Sequence, residues 1–403
     1  MSKSEGLQIV PPDPKKHLPE MFEMCSQVFS QGMGYYGCYN WCNDAYIMNS
    51  NYDWKSSCIG IMDGKIVTHF GIWDYDMRIG SARVRTGGVG LVATHGNYRK
   101  RGLMAVTTRA SLDLMTRNGY DVSFLFGISG FYHQFRYVAG WNNVDYTIEI
   151  HHMPKDKPQH RVHSFAPRHR DDLAQLYNRE NATRTGTAVR PTYLRPQWPD
   201  KWQGFLWKDA DKVVGYVVVS RGNDTLEVLD CVGDDKETLA ILGMLLQRFH
   251  LKNLHFGGLH YDNPLRKRIT RQSYSWSRTT YLNNGGPMIC TLNLKSTLTK
   301  MAGELSRRLK RSYLADWRGS LLIADDREKV SLAIDRSRVK VAPPAKTSHR
   351  ITGGPYIAQF LLGTHDPSET IEIGNIKLAG DAPRLVEVLF PNKHPSLAPW
   401  DHY

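Results

Sequence analysis

The hydrophobic and polar positions of the first third of the chain predict several strands and few helices. Apolar runs at 58–62 and 66–73 flank Asp63-Gly64, a residue pair typical of a two-residue hairpin turn. Gly80 indicates a further turn before an apolar stretch at 84–94, and a helix is predicted at 21–29. The pattern therefore favours an antiparallel sheet in this region.

A change of period after residue 100 predicts a helix followed by another strand. Leu103, Val106, Ala110 and Leu114 recur at spacings of three and four, which places them on one face of a helix that should be buried. Asn118-Gly119 is a typical helix end, and the apolar run 122–126 follows it. The order is strand, helix, strand.

The rest of the chain divides into two further segments behind a linker rich in Pro and His at 151–169. Helices are predicted at 171–180 and 237–249, with strands at 213–219 and 226–231 between them. We therefore predict a mixed α/β (α+β) protein with three domains, at 1–150, 160–290 and 291–403. A length of 403 residues is sufficient for three cores.

Composition excludes several classes of protein. The chain is 41% hydrophobic with a mean hydropathy of −0.45, and it has no apolar run near the ~20 residues that a membrane-spanning helix needs. Its first residues lack the apolar core of a signal peptide. Six cysteines in this length do not form a disulfide framework. We therefore expect a cytoplasmic protein without a membrane partner.

The net charge of +13 comes from one part of the chain. Residues 251–350 contain 20 Lys/Arg and 7 Asp/Glu, so the remainder is neutral overall. The excess is centred on 266–271 and on 307–311, where Met301, Leu305 and Leu309 form the other face of an apparent helix. Stacking aromatics are not interleaved with these cations, which favours a solvated face or a subunit contact over a nucleic-acid track.

Two groups of potential metal ligands are present, and neither has the spacing of a metal site. Cys38 and Cys42 have no second Cys/His pair at zinc spacing. The histidines of 151–169 lie in the linker without Cys or carboxylates at ligand spacing, which favours a linker over a site. We predict no metal.

Residues 92–104 have the composition of an anion site. Arg99, Lys100 and Arg101 surround Gly102 between the end of a strand and the start of a helix. A helix N-terminus presents unpaired N–H groups and the positive end of the helix dipole, which suits a diphosphate. The spacing is neither a P-loop nor a dinucleotide fingerprint, and taken alone it fits a structural turn equally well.

Three blocks in this order resemble one known family. Arg99-x-x-Gly102 resembles the coenzyme A loop of the GNAT acetyltransferases, with Met104 where that family prefers Gly or Ala. The run 130–137, Gly-Phe-Tyr-His-Gln-Phe-Arg-Tyr, resembles the Eis type (enhanced intracellular survival), with Arg136 where Gly is usual. The runs 351–363, 373–381 and 386–391 resemble the sterol-carrier-protein-like module that closes Eis-type chains.

This resemblance implies a GNAT fold, a second GNAT-like domain without a coenzyme site, a homo-oligomer (a hexamer in that family), and acetyl-CoA as co-substrate. It makes Tyr132 the general acid and Tyr403, through its terminal carboxylate, the base. The local pattern alone also fits Tyr132 as a core aromatic, and the chain end as a frayed tail. The implied coenzyme contacts are Val92, Ala93, Thr94, Arg99, Lys100, Arg101, Gly102, Leu103, Met104, Ala105 and Ser129.

The expected reaction is acetyl transfer to an amine, and the acceptor stays open. Residues 1–150 contain 14 basic and 13 acidic residues, so without the three cations of the loop the segment is slightly acidic, which favours a polyamine such as an aminoglycoside. A protein or peptide amine is the alternative acceptor. A lipid or sterol carrier with a vestigial enzyme domain is the alternative of another class.

Overall fold

The computed structural model describes residues 6–31, 34–192, 202–282 and 284–402. These residues form three β-sheets of seven, seven and five strands with helices packed on them. The mixed α/β class is confirmed. Among the described residues, none of the helices combines the length and apolar character that crossing a membrane requires.

The first part of the chain builds most of the first sheet. Its strands are β1 (Gln8–Val10), β2 (Cys58–Met62), β3 (Lys65–Ile79), β4 (Ala82–Thr94), β5 (Val122–Gly127) and β6 (Val138–Ala139). Its helices are α1 (Leu18–Phe29), α2 (Gly34–Trp41) and α3 (Leu103–Arg117). The predicted hairpin is confirmed, because Asp63 and Gly64 both have the positive φ, 53° and 72°, that such a turn requires.

The middle part builds the second sheet. Its strands are β7 (Asn143–Glu149), β8 (Val162–Ser164), β9 (Trp202–Asp209), β10 (Lys212–Arg221), β11 (Thr225–Val232), β12 (Asn253–Gly257) and β13 (Ser275–Thr280). Its helices are α4 (Arg170–Glu180), α5 (Asp235–Arg248) and α6 (Pro264–Gln272). The sheet order is β13-β7-β12-β11-β10-β9-β8, and only the pair β11 and β12 is parallel.

The last part begins with β14 (Gly286–Thr291) and continues into the third sheet. Its other strands are β15 (Arg318–Ala324), β16 (Lys329–Asp335), β17 (Arg338–Ala342), β18 (His349–Thr352) and β19 (Lys377–Ala379). Its helices are α7 (Leu294–Lys310), α8 (Ile357–Leu362), α9 (Pro367–Gly374) and α10 (Ala382–Leu389). The order of the third sheet is β17-β16-β15-β18-β19.

Two strands belong to a different sheet from the one that the predicted domain boundaries imply. β14 completes the first sheet, in the order β1-β2-β3-β4-β5-β14-β6, because it pairs with β5 and β6. β7, by contrast, pairs with β12 and β13 of the second sheet. The two sheets therefore each take a strand from the neighbouring segment. The division into 1–150, 160–290 and 291–403 remains a proposal.

Helix α7 joins the first sheet to the third. Its apolar residues Met301, Leu305 and Leu309 are fully buried, as the sequence predicts, and share one core with Val84 of β4 and Leu332 of β16. Burying apolar surface on two sides of one helix stabilises the arrangement of both sheets. The first and third sheets are therefore packed against each other through this helix.

The basic cluster of α7 is partly internal. The side chain of Arg308 is only 6% exposed, lies 2.8 Å from the Glu304 carboxylate, and donates to the carbonyl of Leu389 at 2.6 Å. Glu304 also accepts from the backbone N–H of Ser81, in the turn between β3 and β4, at 3.1 Å. A solvated face is therefore the wrong interpretation for Arg308, which helps to attach α7 to the first sheet.

The buried face of α3 differs from the predicted one. Leu103 is buried, but Val106 is 37% exposed, because the core side of the helix also contains polar residues. Thr107 Oγ1 bonds to Thr68 Oγ1 at 2.8 Å, and Ser111 Oγ donates to the Ser56 carbonyl at 2.6 Å. Apolar periodicity alone therefore does not predict a buried face on which polar residues are held by hydrogen bonds.

Candidate active site

The first sheet opens between β4 and β5. The two strands pair in parallel only from Thr86 to Val89 of β4, although β4 continues to Thr94. Beyond this point Leu91 has a φ of 45°, and the register of β4 against β3 shifts between His69 and Gly71. A bulge of this kind bends the strand away from its neighbour. The opening is a cavity of about 730 Å³, which we call the coenzyme cavity.

A buried histidine holds the bulge. The Nδ1 of His69 lies 2.7 Å from the carbonyl oxygen of Leu91, and its Nε2 lies 2.8 Å from the hydroxyl of Tyr52. A carbonyl only accepts, so Nδ1 carries the proton and Nε2 accepts from Tyr52. Burial lowers the pKa of His69 to about 4, so the ring is neutral at neutral pH. Both ring nitrogens of His69 are therefore hydrogen-bonded.

The loop after β4 forms one end of the coenzyme cavity. Lys100 and Gly102 have positive φ values of 60° and 79°, and Gly102 caps α3 without a side-chain hydrogen bond. The first turn of α3 therefore keeps backbone N–H groups that no side-chain cap occupies. Arg99, whose Nε donates to the Thr94 carbonyl at 3.3 Å, lines the same end. This geometry fits a diphosphate group.

Nine of the eleven predicted coenzyme residues line this cavity, and two lie elsewhere. The nine are Val92, Thr94, Arg99, Lys100, Arg101, Gly102, Leu103, Met104 and Ala105. Ala93 is fully buried among the residues that pack α1 against the sheet. Ser129 lies at a turn beside Gly285. The sequence analysis missed other lining residues, among them Tyr46, because no motif links them to the loop.

Tyr132 lies on the β5 side of the coenzyme cavity. It begins a short 3-10 helix, Tyr132–Phe135, and its side chain packs against Gly127 at the end of β5. The residue is 6% exposed, and burial raises the pKa of its phenol to about 12. The hydroxyl therefore stays protonated at neutral pH. The ring of Tyr132 also contacts the rings of Phe131 and Tyr137 edge-on.

Arg136 occupies a left-handed position after this 3-10 helix. Its φ of 72° is a conformation that glycine adopts freely and that costs other residues about 1 kcal/mol or more. The guanidinium compensates by pairing with Asp325 at 2.8 Å and with Asp326, in the turn between β15 and β16. The turn is thus formed with Arg where the resembled family has Gly, and it contacts the third sheet.

A second cavity, of about 430 Å³, lies where the first and second sheets meet helix and loop residues of the last part of the chain, and we call it the junction cavity. Phe126 of β5 lines both cavities, so the two are adjacent. The junction cavity contains the carboxylates of Asp145 and Glu369, and no Lys or Arg among its described lining residues. Its aromatic lining residues are Phe126, Trp141, Tyr146, Tyr261 and Tyr281.

The end of the chain reaches the junction cavity. Pro399 and His402 line it, and the ring of His402 lies 4.0 Å from that of Phe126. Tyr403, the predicted base, lies outside the described residues. The described chain thus leads up to the boundary between the two cavities.

The linker histidines have a carboxylate neighbour that the sequence analysis overlooked. Glu149, His151 and His152 place one ligand atom each within 4.8 Å of one another, and His151 Nε2 lies 3.1 Å from the Glu149 carboxylate. The expectation that no carboxylate accompanies these histidines is therefore wrong. The reason is local: Glu149 ends β7 and the next residues form a 3-10 turn, which folds them back.

Comparisons with known proteins agree with this geometry. Residues 13–140 match the family model of the acetyltransferase (GNAT) domain. No curated protein sequence matches the chain significantly. Solved structures share the fold over nearly the whole chain at low identity.

Three of these structures show how far the likeness extends. A GCN5-related N-acetyltransferase from Anabaena variabilis is 13% identical with a TM-score of 0.77, covering 97% of this chain and 99% of that one. A GCN5-related N-acetyltransferase from Kribbella flavida is 15% identical with a TM-score of 0.73, covering 97% and 99%. Eis1 from Mycobacterium abscessus is 15% identical with a TM-score of 0.68, covering 96% and 97%.

The family model defines the class of one part of this protein. Residues 13–140 match the GNAT acetyltransferase domain, which confirms the prediction of an acetyltransferase enzyme for this part of the chain. This domain class uses acetyl-CoA as its co-substrate. The structures, at 13–15% identity, support the fold of the whole chain.

The geometry of the loop after β4 predicts that acetyl-CoA binds there through its diphosphate. Acetyl-CoA at a hundredfold excess over its dissociation constant should stabilise the wild type by ~2.7 kcal/mol through ligand linkage. Arg99→Glu should remove most of this stabilisation, because it places a negative charge beside the diphosphate. Thermal unfolding with and without acetyl-CoA measures the effect.

Arg117→Glu is the matched control, since it makes the same change of charge at the other end of α3, ~20 Å away. It should leave the stabilisation by acetyl-CoA intact. Equal losses in the two variants would show that net charge, not the loop, determines binding.

Proposed function

We propose that this protein transfers the acetyl group of acetyl-CoA to a primary amine of a small polyamine, as an Eis-type enzyme with aminoglycosides as the expected acceptors. The observation that carries the proposal is the contact between two cavities at Phe126. One has a diphosphate loop and the other has carboxylates without cations among the described lining residues. Their sizes suit a coenzyme arm and a small molecule.

Acetyl-CoA supplies an acetyl group activated as a thioester. On this proposal the N–H groups of the first turn of α3, together with Arg99 and Lys100, hold the diphosphate. The β4 edge from Val92 to Thr94 offers backbone groups to the pantetheine arm. The gap between β4 and β5 directs the thioester toward Tyr132 and Phe126, which lie on the opposite wall.

Tyr132 is the proposed general acid. The amine nitrogen forms a bond to the acetyl carbon, the carbon–sulfur bond breaks, and Tyr132 Oη donates a proton to the departing sulfur. A thiol has a pKa near ~8.5, below that of the phenol, so the phenol is protonated before the reaction and the transfer of its proton to sulfur is uphill. The favourable conversion of thioester to amide drives this transfer, and the tyrosinate then regains a proton from water. Because burial raises the pKa of Tyr132 to about 12, loss of this proton should not reduce activity across the neutral range.

The junction cavity suits an amine with several positive charges. Asp145 and Glu369 provide two separate carboxylates for ammonium groups, and the aromatic rings attract cations through their faces. Asp145 is partly neutralised by Arg278 at 3.4 Å, and Glu369 lies 3.5 Å from His365. The cavity of about 430 Å³ fits a small molecule better than a peptide, which needs an open groove.

The base is proposed to be the carboxylate of Tyr403. The ring of the preceding residue, His402, lies 4.0 Å from that of Phe126, at the boundary of the two cavities, which supports a base at this position. An unperturbed α-carboxyl has a pKa near ~3.5, so it needs desolvation or a relaying water to accept a proton from an ammonium group. The next candidates are a water molecule or a carboxylate of the first domain.

Three further expectations belong to this proposal. They are a sterol-carrier-protein-like third domain, a homo-oligomer and a cytoplasmic location. The alternative of a lipid carrier with a vestigial enzyme domain predicts that acetyl-CoA leaves thermal stability unchanged. A peptide acceptor predicts activity confined to histone-like peptides.

The first kinetic prediction concerns Tyr132, the proposed general acid. Tyr132→Phe keeps the ring and removes the proton, so turnover should fall by ~10²–10⁴-fold while the affinity for acetyl-CoA changes little. Tyr137→Phe is the control, because Tyr137 is equally buried and bonds to Ser123 Oγ at 2.6 Å without lining the coenzyme cavity. Thiol release with kanamycin as acceptor measures both variants. Wild-type turnover in Tyr132→Phe would reassign the proton donor.

The second prediction concerns the carboxylates that are proposed to bind the acceptor. Asp145→Asn and Glu369→Gln should each raise the Michaelis constant for kanamycin by ~3–10-fold, corresponding to about 1 kcal/mol for a partly exposed pair, and should affect a neutral monoamine much less. Glu372→Gln, on the same helix α9 but outside the cavity lining, is the matched control. Equal activity of the wild type on monoamines and polyamines would contradict the polyamine assignment.

A further inference from the structure

A buried arginine connects the last described residues to the second sheet. Arg190 has a side chain only 5% exposed, and its guanidinium bonds to both carboxylate oxygens of Asp401 at 2.8 Å. It also lies 2.7 Å from Asp230 of β11 and donates to the hydroxyl of Tyr216, on β10, at 2.7 Å. We call these four residues the Arg190 network. A bidentate pair of this kind fixes orientation as well as distance.

Aromatic rings enclose the guanidinium. The ring of Tyr177, on α4, lies 3.4 Å from its central carbon and that of Trp400 lies 4.3 Å away. Such rings exclude water from the ion pair and add cation–π attraction. Asp401 is only 3% exposed, so the pair is shielded from salt and solvent.

The backbone of Arg190 is fixed by helix α4, which also bonds to the first sheet. Asn178 of α4 accepts from the N–H of Arg190 at 3.0 Å and donates to its carbonyl at 2.6 Å. The same Asn178 oxygen accepts from Arg78 of β3 at 2.7 Å. Arg190 therefore stands between the first sheet and the second, in a position that neither can change independently.

The turn Pro399–Asp401 sends its neighbouring side chains to different places. Asp401 pairs with Arg190, whereas Pro399 and His402 line the junction cavity. His402 directly follows Asp401 and its N–H donates to the Pro399 carbonyl at 3.3 Å, so fixing the Asp401 carboxylate also restrains His402 beside Phe126. The network is thus coupled by a single turn to the boundary of the two cavities.

We propose that Arg190 is a positioning residue for acetyl transfer: through Asp401 it holds the segment 399–402 across the boundary between the coenzyme cavity and the junction cavity. This inference rests on the proposed function, and it gives the second sheet a part in the active site. Arg190 does not touch the reacting atoms. It acts through the turn, whichever group at the chain end or in the cavity accepts the proton.

Asp401→Asn tests the proposal in the full chain. The variant removes one charge of the network and leaves Asp230 to neutralise Arg190, so the buried guanidinium keeps a partner. Turnover with kanamycin should fall by about 100-fold, because small misplacements of an active-site segment have effects of this size. Hydrogen exchange of the amides of 396–402 should become faster, and the dissociation constant for acetyl-CoA should stay within about twofold.

Two comparisons make the result specific. Asp335→Asn removes a charge from an exposed pair with Arg318 and should change none of the three quantities. Asp401→Glu keeps the charge on a longer arm and should retain more turnover than Asp401→Asn, while a purely structural role would order the variants by melting temperature alone. If Asp401→Asn does not fold, Asp401→Glu carries the same comparison of exchange and turnover against the wild type.

The proposal is overturned by faster exchange of 396–402 with unchanged turnover, since the segment would then not need to be held. It is equally overturned by unchanged exchange, since Asp401 would then not hold the segment. Absence of acetyl transfer in the wild type is a different result, because it contradicts the proposed function and leaves the exchange measurement to report on the network alone.

Discussion

The hydrogen bond from His69 Nδ1 to the carbonyl of Leu91, 2.7 Å long, is the contact on which the coenzyme side of the site depends. It fixes a left-handed residue inside β4, where the strand leaves β5 and the cavity opens. Burial disfavours the charged ring, so the neutral form, with its proton on Nδ1, holds the Leu91 carbonyl at neutral pH. With a pKa near ~6.5 when unfolded and about 4 when folded, His69 stabilises the fold fully above pH ~6.5. That contribution is lost as the pH falls through about 4.

The remaining contacts place the other walls of the site around this opening. Helix α7 packs the third sheet under the first, and Arg136 joins the turn behind Tyr132 to Asp325 of the third sheet. The Arg190 network attaches the last described residues to the second sheet. Each of these contacts is buried and charge-assisted or apolar, so the junction cavity is formed by elements that are held in place independently of a ligand.

The sequence predicts the parts of this site that lie close together along the chain. The hairpin at Asp63-Gly64, the loop before α3 and the short helix of Tyr132 are local patterns, and all three are present. The buried face of α3 is not predictable from apolar periodicity, because it includes polar residues such as Thr107 and Ser111, whose hydroxyls are hydrogen-bonded. The exchange of β7 and β14 between sheets, and the pairing of Arg190 with Asp401 across 211 positions, depend on long-range packing that no local pattern encodes. The roles of Tyr132 and Tyr403 remain predictions.

The most direct test of this account is to release the bulge and compare two ligands. The double variant His69→Leu/Tyr52→Phe removes the bond to Leu91 without leaving the Tyr52 hydroxyl unpaired. Isothermal titration should show at least ~10-fold weaker binding of acetyl-CoA, as expected for the loss of about 1.4 kcal/mol, and unchanged binding of adenosine 3′,5′-diphosphate carrying no pantetheine arm. Unchanged binding of acetyl-CoA in a folded variant would contradict the claim that the bond between His69 and Leu91 opens the coenzyme cavity.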